Sequence, residues 1–295
     1  MSSIGSIWQK WDLHIHTPAS FEWHGQRFAG MDESAVTECL NRIIAQIEES
    51  DVEVFAVMDY WTFDGYFKLL QHIEGLPNKP QKLILPGIEF RMEAPTDFRL
   101  NTHVIFDNSV SKSDLDGFLS NLRIVHTPEL PVSEENFVRL AKGFDSGKLR
   151  THGFDESDRD NDVRMLELGL KTAVITRDSV DEALRPLSKN LYLKIQPYDT
   201  SDGLEDLDWQ EHPCSDSILM KWADIFETRN PKNIGLFDWV CRQFGCTIKI
   251  LLRPFVVPQQ AVGPPHPQGH PETIAIIRLI KITTGNGKLL DSDTL

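Results

Sequence analysis

A near-continuous apolar run, Val52 to Met58, lies between two segments in which apolar residues recur at helical spacing. The upstream segment extends from about Met31 to Ser50, and the downstream segment runs through Phe67 to Ile73. A short apolar run between two amphipathic helices is typical of a strand that is buried on both faces of a parallel sheet. We therefore predict a central strand over residues 51–59.

Further strands and helices alternate along the rest of the chain. The first helix has Asp32 and Ser34 as candidate N-caps. Other strands are predicted at residues 12–17, 82–90, 102–106, 191–195 and 223–227, and other helices at 115–125, 134–142 and 233–244. The acidic segments 146–164 and 198–211 are predicted to be solvated loops. Alternating strands and helices fold as a parallel sheet with crossover helices, which places the chain in the α/β class.

The composition changes at Arg253, where the chain continues as RPFVVPQQAVGPPHPQGHPET. Proline fixes the backbone and removes a hydrogen-bond donor, so this stretch cannot continue a helix or a central strand. We therefore divide the chain into an α/β domain, residues 1–252, and an irregular Pro/His-rich tail, residues 253–295. The tail suggests a truncated or frame-altered form of a longer protein.

The formal net charge of -14 over 295 residues argues against a broad basic surface that grips nucleic acid directly. It does not exclude a nucleic-acid substrate, because bound cations would reverse the local charge at a carboxylate-rich site. No segment has the length or apolar content of a signal peptide or a membrane span, so we expect a cytoplasmic protein without a membrane partner. The four cysteines show no CxxC pairing, and reduced thiols are expected.

His14 and His16 stand two residues apart in the segment DLHIHT, whose alternation of apolar and polar residues is the pattern of a strand. Because residues i and i+2 of a strand point to the same side, the two imidazoles are expected to project together. This geometry suits ligands of one metal ion or of a metal cluster. The alternative is a pair of ordinary surface histidines, so the interpretation depends on whether further ligands follow.

Three more side chains able to bind metal occur in the next predicted strands. Asp59 closes the second strand, Glu89 closes the third, and His103 lies in the fourth. In parallel α/β folds the C-terminal ends of the strands share one rim, so these groups are expected to meet there. Mixed imidazole and carboxylate ligands suit zinc, manganese or iron. A bridging carboxylate such as Glu89 would hold two ions close together.

Four motifs, DLHIHTPAS, AVMDYWTFDGY, LPGIEF and NTHVIFD, resemble in order and spacing those of the PHP (polymerase and histidinol phosphatase) superfamily. The resemblance is specific over residues 7–106 and continues more loosely to about residue 244. It implies a distorted (β/α)₇ barrel of the PHP type, two or three divalent metal ions (manganese, zinc or iron) and hydrolysis of phosphoesters. The chain is most similar to the PHP domain of TrlF-type fusions. That similarity implies an AAA-like or SMC-like ATPase as a further domain or partner, and nucleic acid or a nucleotide as substrate.

The resemblance also assigns roles to individual residues. Metal ligands are expected at His14, His16, Asp59, Glu89 and His103. Among them, Asp59 and Glu89 are the catalytic candidates: Glu89 is the bridging carboxylate, and Asp59 orients a ligand or accepts a proton. Glu22 and His24 follow the first motif, where other members have an acidic or histidine ligand. His152 is a candidate ligand from the middle of the chain.

The chain departs from the family pattern in two places. Tyr60 stands where many members have a histidine ligand, which argues against a third ion. The family supplies an Asp-x-His pair after its last helix, whereas this chain has the Pro-rich stretch after Arg253. His266 and His270 occur there, and we interpret them as exposed histidines of the tail. Without the Asp-x-His pair, one ion would lose a ligand.

These observations lead to three functional hypotheses. The first is a metal-dependent phosphoesterase that hydrolyses a phosphodiester or a phosphomonoester with a metal-activated water. The second is a catalytically impaired PHP-like module that binds or regulates an ATPase, as the missing Asp-x-His would suggest. The third is a metal-dependent hydrolase of carbon–nitrogen bonds on a similar barrel. Bound metal together with phosphoester turnover would separate the first hypothesis from the other two.

Overall fold

The computed structural model describes residues 10–93, 99–198, 203, 222–228, 230, 232, 233, 235, 249–252 and 279–281, the last two ranges as backbone only. Over these residues the chain has a mixed α/β fold in which the main sheet curls into a half-barrel. The eight strands of this sheet are β1 (Trp11–Ile15), β2 (Val54–Tyr60), β3 (Leu83–Glu93), β4 (Arg99–Phe106), β7 (Tyr192–Pro197), β8 (Ile225–Thr228), β9 (Lys249–Leu252) and β10 (Leu279–Lys281).

The described helices lie in the connections from β1 to β2, from β2 to β3 and from β4 to β7. They are α1 (Glu33–Glu49), α2 (Asp64–Glu74), α3 (Lys112–Asn121), α4 (Glu134–Lys142), α5 (Ser146–Thr151), α6 (Asp162–Thr172) and α7 (Arg177–Leu184). Strands β5 (Arg123–Ile124) and β6 (Leu130–Pro131) form a separate two-stranded sheet. Among the helices that the structure describes, none is both long and apolar enough to cross a membrane.

The strands do not all run in the same direction. Strands β1, β2 and β3 are parallel, and β7, β8 and β9 are parallel, but β4 is antiparallel to both β3 and β7, and β10 is antiparallel to β9. The prediction of a purely parallel sheet was therefore wrong. Only residues 94–98 separate β3 from β4, and a parallel crossover needs a dozen or more residues. A complete (β/α)₇ barrel stays a prediction.

The central strand is buried on both faces, as its apolar run predicts. All seven residues of β2 are buried. Ala56 and Met58 pack in a cluster with residues of β1, β4, β7 and β8 on the inner face of the curled sheet. Phe55 and Val57 pack with α1 and α2 on the outer face. The larger part of the core lies where α3, α4 and α7 cover β3 and β4.

Strand β1 contains an irregularity between Asp12 and Ile15, a stretch that includes His14. From Asp12 to Ile15 the strand advances three residues, whereas its partner β2 advances only from Phe55 to Val57. In a regular strand Leu13 and Ile15 would share a face. Here Leu13 joins the inner cluster and Ile15 packs on the outer face with α1 and α2. This bulge changes the direction in which the side chains at the end of β1 point, as bulges often do beside functional sites.

Most predicted elements are present within a few residues of their predicted bounds. Helix α1 begins after Asp32, whose side chain accepts a hydrogen bond from the Ala35 backbone, which confirms that N-cap candidate. The predicted helix 115–125 is confirmed only in part, because α3 ends at Asn121 and β5 follows. Most of the predicted helix 233–244, of the tail 253–295 and of segment 198–211 lies outside the described residues. In the tail, which was predicted to be irregular, the described residues 279–281 form strand β10, paired with β9.

The predicted loop at 146–164 was wrong. Helix α5 and the start of α6 occupy this segment, and Asp145 and Asn161 cap the two helices. Phe154 and Met165 are buried there in a small cluster with residues of α4 and α5. The acidic residues that suggested a loop include the N-caps and first-turn residues of helices, where negative charge is favourable.

We expect Leu115→Ala to lower the free energy of unfolding by about 2–5 kcal/mol, because it removes a fully buried side chain of α3 and leaves a cavity. Val163→Ala on α6 is the matched control, since Val163 is 77% exposed, and we expect a change of at most about 0.5 kcal/mol. Urea denaturation monitored by circular dichroism measures both. Equal effects of the two substitutions would contradict the assigned packing of α3.

Candidate metal centre

Glu89 lies at the centre of the candidate site. It occupies the middle of β3, where it is in register with Tyr60 of β2 and with His103 of β4. Its side chain is almost completely buried, with a relative exposure of 3%. The Glu89 Oε2 atom lies 3.3 Å from Nε2 of His14 and 3.6 Å from Nε2 of His16. His14, at the end of β1, and His16, just after it, therefore converge on one carboxylate oxygen.

The second oxygen of Glu89 has different neighbours. Tyr60 donates its hydroxyl to Glu89 Oε1 over 2.6 Å. The Nε2 atom of His103 lies 3.4 Å from the same oxygen. One carboxylate therefore has two histidines on one oxygen, and a third histidine and a tyrosine on the other.

His103 lies between two carboxylates. Its Nε2 faces Glu89, and its Nδ1 is 3.3 Å from Oε2 of Glu227 on β8. Both His103 and Glu227 are 2% exposed. A carboxylate on the far nitrogen fixes the orientation of an imidazole and is the usual support of a metal-binding histidine. Sequence reasoning identified the strand that carries Glu227 but not this residue; the available signal was an acidic side chain inside an otherwise apolar strand.

The residues present fit a divalent metal ion. Nε2 of His14, Nε2 of His16 and Oε2 of Glu89 form a triangle with sides of 3.2, 3.3 and 3.6 Å. Donors held about 2 Å from a tetrahedral zinc ion lie about 3.3 Å apart. His14, Glu89 and His103 also offer ligand atoms that all lie within 4.8 Å of one another. Oε2 of Glu89 and Nε2 of His103 are buried and make no hydrogen bond of normal geometry within the described part of the chain.

The electrostatics of the site keep Glu89 ionised. Burial opposes the charge of its carboxylate, but positive charge on His14 and His103 outweighs burial and holds the pKa of Glu89 well below its usual range. For His103, burial alone would lower the pKa, but the Glu89 carboxylate and the hydrogen bond with Glu227 raise it to about 9. The buried carboxylate is thus stabilised by positive charge, which protons or a metal ion can supply.

Asp59 lies beside the histidines and holds the end of β1 in place. Its two oxygens accept hydrogen bonds from the backbone N–H of Thr17, over 2.7 Å, and from the Thr17 hydroxyl, over 2.6 Å. Its Oδ1 is 3.9 Å from Nδ1 of His16. Burial raises the pKa of Asp59 to about 7, although the hydrogen bonds from Thr17 oppose this rise. These contacts fit a residue that orients His16, and its role as a metal ligand stays a prediction.

The remaining candidate residues lie away from the donor triangle. Glu22 forms an ion pair with Arg91, with Oε1 and Nη2 3.5 Å apart. His24 is exposed. His152 caps the C-terminus of α5, and burial and the positive charge of Arg99 lower its pKa. Metal binding by Glu22, His24 or His152 stays a prediction.

The position of the site differs in one respect from the prediction. Glu89 and His103 were expected at the ends of parallel strands, but each lies inside its strand. They meet because β3 and β4 pair antiparallel with these two residues in register. His14 and Asp59 do lie next to the final residue of their strands. The site is therefore built partly at the ends of β1 and β2 and partly across the β3–β4 pair.

No protein-family model and no curated protein matches the chain. Among solved structures, an amidohydrolase from Chromobacterium violaceum with bound sulfate and no metal aligns at 9% identity and a TM-score of 0.43, over 82% of this chain and 85% of that chain. A protein from Bifidobacterium adolescentis, assigned as a metal-dependent phosphoesterase, aligns at 12% identity and a TM-score of 0.39, over 82% and 86%. Similarity this low carries no argument about activity, which must be argued from the site.

We expect Gly65→Ala to weaken metal binding by about tenfold or more, because the residues that hydrogen-bond around metal ligands hold those ligands in position. A Cβ at Gly65 would lie 2.0 Å from both Asp59 Oδ2 and Thr17 Oγ1, so the contacts that position His16 must move. Gly117→Ala is the control, since a Cβ there meets nothing within 4 Å. Titration calorimetry with Zn²⁺ or Mn²⁺ measures the effect. An unchanged affinity in a folded Gly65→Ala protein would contradict the role of the Asp59–Thr17 pair.

Proposed function

We propose that the chain is a metal-dependent hydrolase of phosphoesters, either a phosphodiester or a phosphomonoester. The observation that carries the proposal is the convergence of His14, His16 and Glu89 on one point, with nitrogen and oxygen donors at the spacing of metal ligands. The side chains of His14 and His16 are 16% and 23% exposed, whereas that of Glu89 is 3% exposed. Solvent and substrate therefore reach the centre from the histidine side.

The residues of the site would have separate roles. His14, His16 and Glu89 would hold the ion, and manganese, zinc and iron all suit this donor set. A divalent ion bound there supplies a Lewis acid for the phosphoryl oxygens and lowers the pKa of a water molecule. Asp59 holds His16 through Thr17, which keeps the imidazole in place while substrate binds.

The substrate class and the partner rest on the resemblance to TrlF-type PHP domains. On that basis we propose nucleic acid or a nucleotide as the substrate and an AAA-like or SMC-like ATPase as a further domain or partner. The charge of the chain supports a role for the ion in substrate binding. With a formal net charge of -14, a phosphate would be repelled unless a cation is bound at the site.

A catalytically impaired module that binds or regulates an ATPase is the second candidate. The observation that favours it is Tyr60, which stands where the resemblance implies a histidine ligand and donates its hydroxyl to Glu89 Oε1. A bound ion without any phosphoester turnover would favour this candidate over the first. Turnover that depends on the bound ion would exclude it.

We expect His16→Ala to lower the turnover of phosphoesters by about 100-fold or more and to weaken metal binding, because it removes a donor that faces Glu89. The assay uses p-nitrophenyl phosphate, bis(p-nitrophenyl) phosphate and a single-stranded oligonucleotide, each with added Mn²⁺ or Zn²⁺ and with a chelator.

His72→Ala is the matched control, since His72 contacts Asn41 on the surface formed by α1 and α2. We expect this variant to keep the wild-type rate. Full activity in the chelator, or in His16→Ala, would overturn the proposed function.

A further inference from the structure

We propose that Tyr60 limits this centre to one divalent ion, held by His14, His16 and a single oxygen of Glu89. The inference rests on the proposed function, because it concerns the same metal site. It departs from the two or three ions that the resemblance implies.

The hydroxyl of Tyr60 takes one of the two lone pairs of the oxygen that a second ion would need. Two ions bridged by a carboxylate each bind one of its oxygens. Here Oε2 of Glu89 faces His14 and His16, while Oε1 accepts the Tyr60 hydroxyl over 2.6 Å. Tyr60 is 5% exposed. Its ring is stacked against His16 and packs against Phe21, so the hydroxyl is held in place.

A fixed positive charge lies behind Tyr60. The guanidinium of Arg91 lies 5.3 Å from the centre of the Tyr60 ring and 5.6 Å from that of Phe21. Its Nη1 donates to the carbonyl of Lys171 over 2.6 Å, which anchors it there. Glu22 Oε1 lies 3.5 Å from Nη2 of Arg91 and offsets part of this charge. The remaining charge would repel a second cation on the Tyr60 side of Glu89.

The third histidine lies beside this oxygen. A second ion at Glu89 Oε1 would need His103 as its imidazole ligand. Nε2 of His103 lies 3.4 Å from Oε1, and Glu227 Oε2, 3.3 Å from Nδ1, holds the ring in place. An ion between Nε2 and Oε1 would have to share Oε1 with the Tyr60 hydroxyl.

The donor triangle is sufficient for one ion. Its three donors are the set that catalytic zinc sites use, with two histidines, one glutamate and an open position for water. The exposed edges of His14 and His16 leave that position accessible. A single-ion centre therefore agrees with hydrolysis and does not require the donors around Tyr60.

The number of bound ions tests the inference. Wild-type protein, loaded with Mn²⁺ or Zn²⁺ and dialysed, is expected to retain one equivalent by elemental analysis, and its Mn²⁺ form is expected to give the paramagnetic resonance spectrum of an isolated ion. Tyr60→His replaces the hydroxyl donor with an imidazole ligand next to His103. We expect this variant to bind two equivalents and to give the spectrum of a coupled Mn²⁺ pair.

Two further variants complete the design. Tyr66→Phe is the matched control, because Tyr66 is a buried tyrosine that packs in the α1–α2 cluster, and it should keep one equivalent. Tyr60→Phe removes only the hydroxyl, and it should gain a second, weaker equivalent; it replaces Tyr60→His if that variant does not fold.

Each outcome has a distinct meaning. Two equivalents of similar affinity in wild-type protein would overturn the inference and leave the proposed function standing. One equivalent in wild type and in both Tyr60 variants would show that Tyr60 does not set the number of ions. No bound metal in wild type would instead overturn the proposed function.

Discussion

The rest of the site depends on one constraint, which is that a carboxylate buried inside the sheet needs partners. Glu89 is 2% exposed, and an ionised carboxylate without partners in such a place costs several kcal/mol. The fold compensates with three imidazoles and one hydroxyl, from β1 and the residue after it, β2 and β4. Each of these partners needs its strand in one register: a shift of β4 by one residue would move His103 to the opposite face of the sheet. A change in the register of the strands would therefore also change which side chains form the site.

Local patterns in the sequence predict the first half of this arrangement well. The apolar run of β2, the helical spacing of α1 with its Asp32 cap, and the paired histidines of β1 all depend on residues close together in the chain. The direction of β4 was missed for a physical reason. Polar residues around Glu93 and Arg99 interrupt the apolar pattern, so both strands were predicted too short and the close connection of an antiparallel pair was not visible. Antiparallel pairing then placed Glu89 and His103 face to face inside the strands.

The contacts that complete the site come from distant parts of the chain, and the sequence alone does not pair them. Glu227 lies on β8, 124 positions after His103, and only the order of strands in the sheet brings the two together. The bulge in β1 and the absence of a side chain at Gly65 are similar cases. The bulge allows Leu13 to pack on the inner face of the sheet. The missing side chain of Gly65 leaves space for Asp59 and Thr17. Periodicity and motif spacing contain no information on such neighbours.

The charge balance of the chain links the buried carboxylate to its proposed substrate. A protein with a net charge of -14 presents a repulsive field to a phosphoester. Arg91 is the cation beside Tyr60, but it is buried against Phe21 and anchored to Lys171, so it is poorly placed to bind substrate directly. Among the described residues of the centre, His14 and His16 reach solvent on its open side, where an ion could face an incoming phosphate. A divalent ion held there by Glu89 would offset the charge of the carboxylate and attract the substrate at one position.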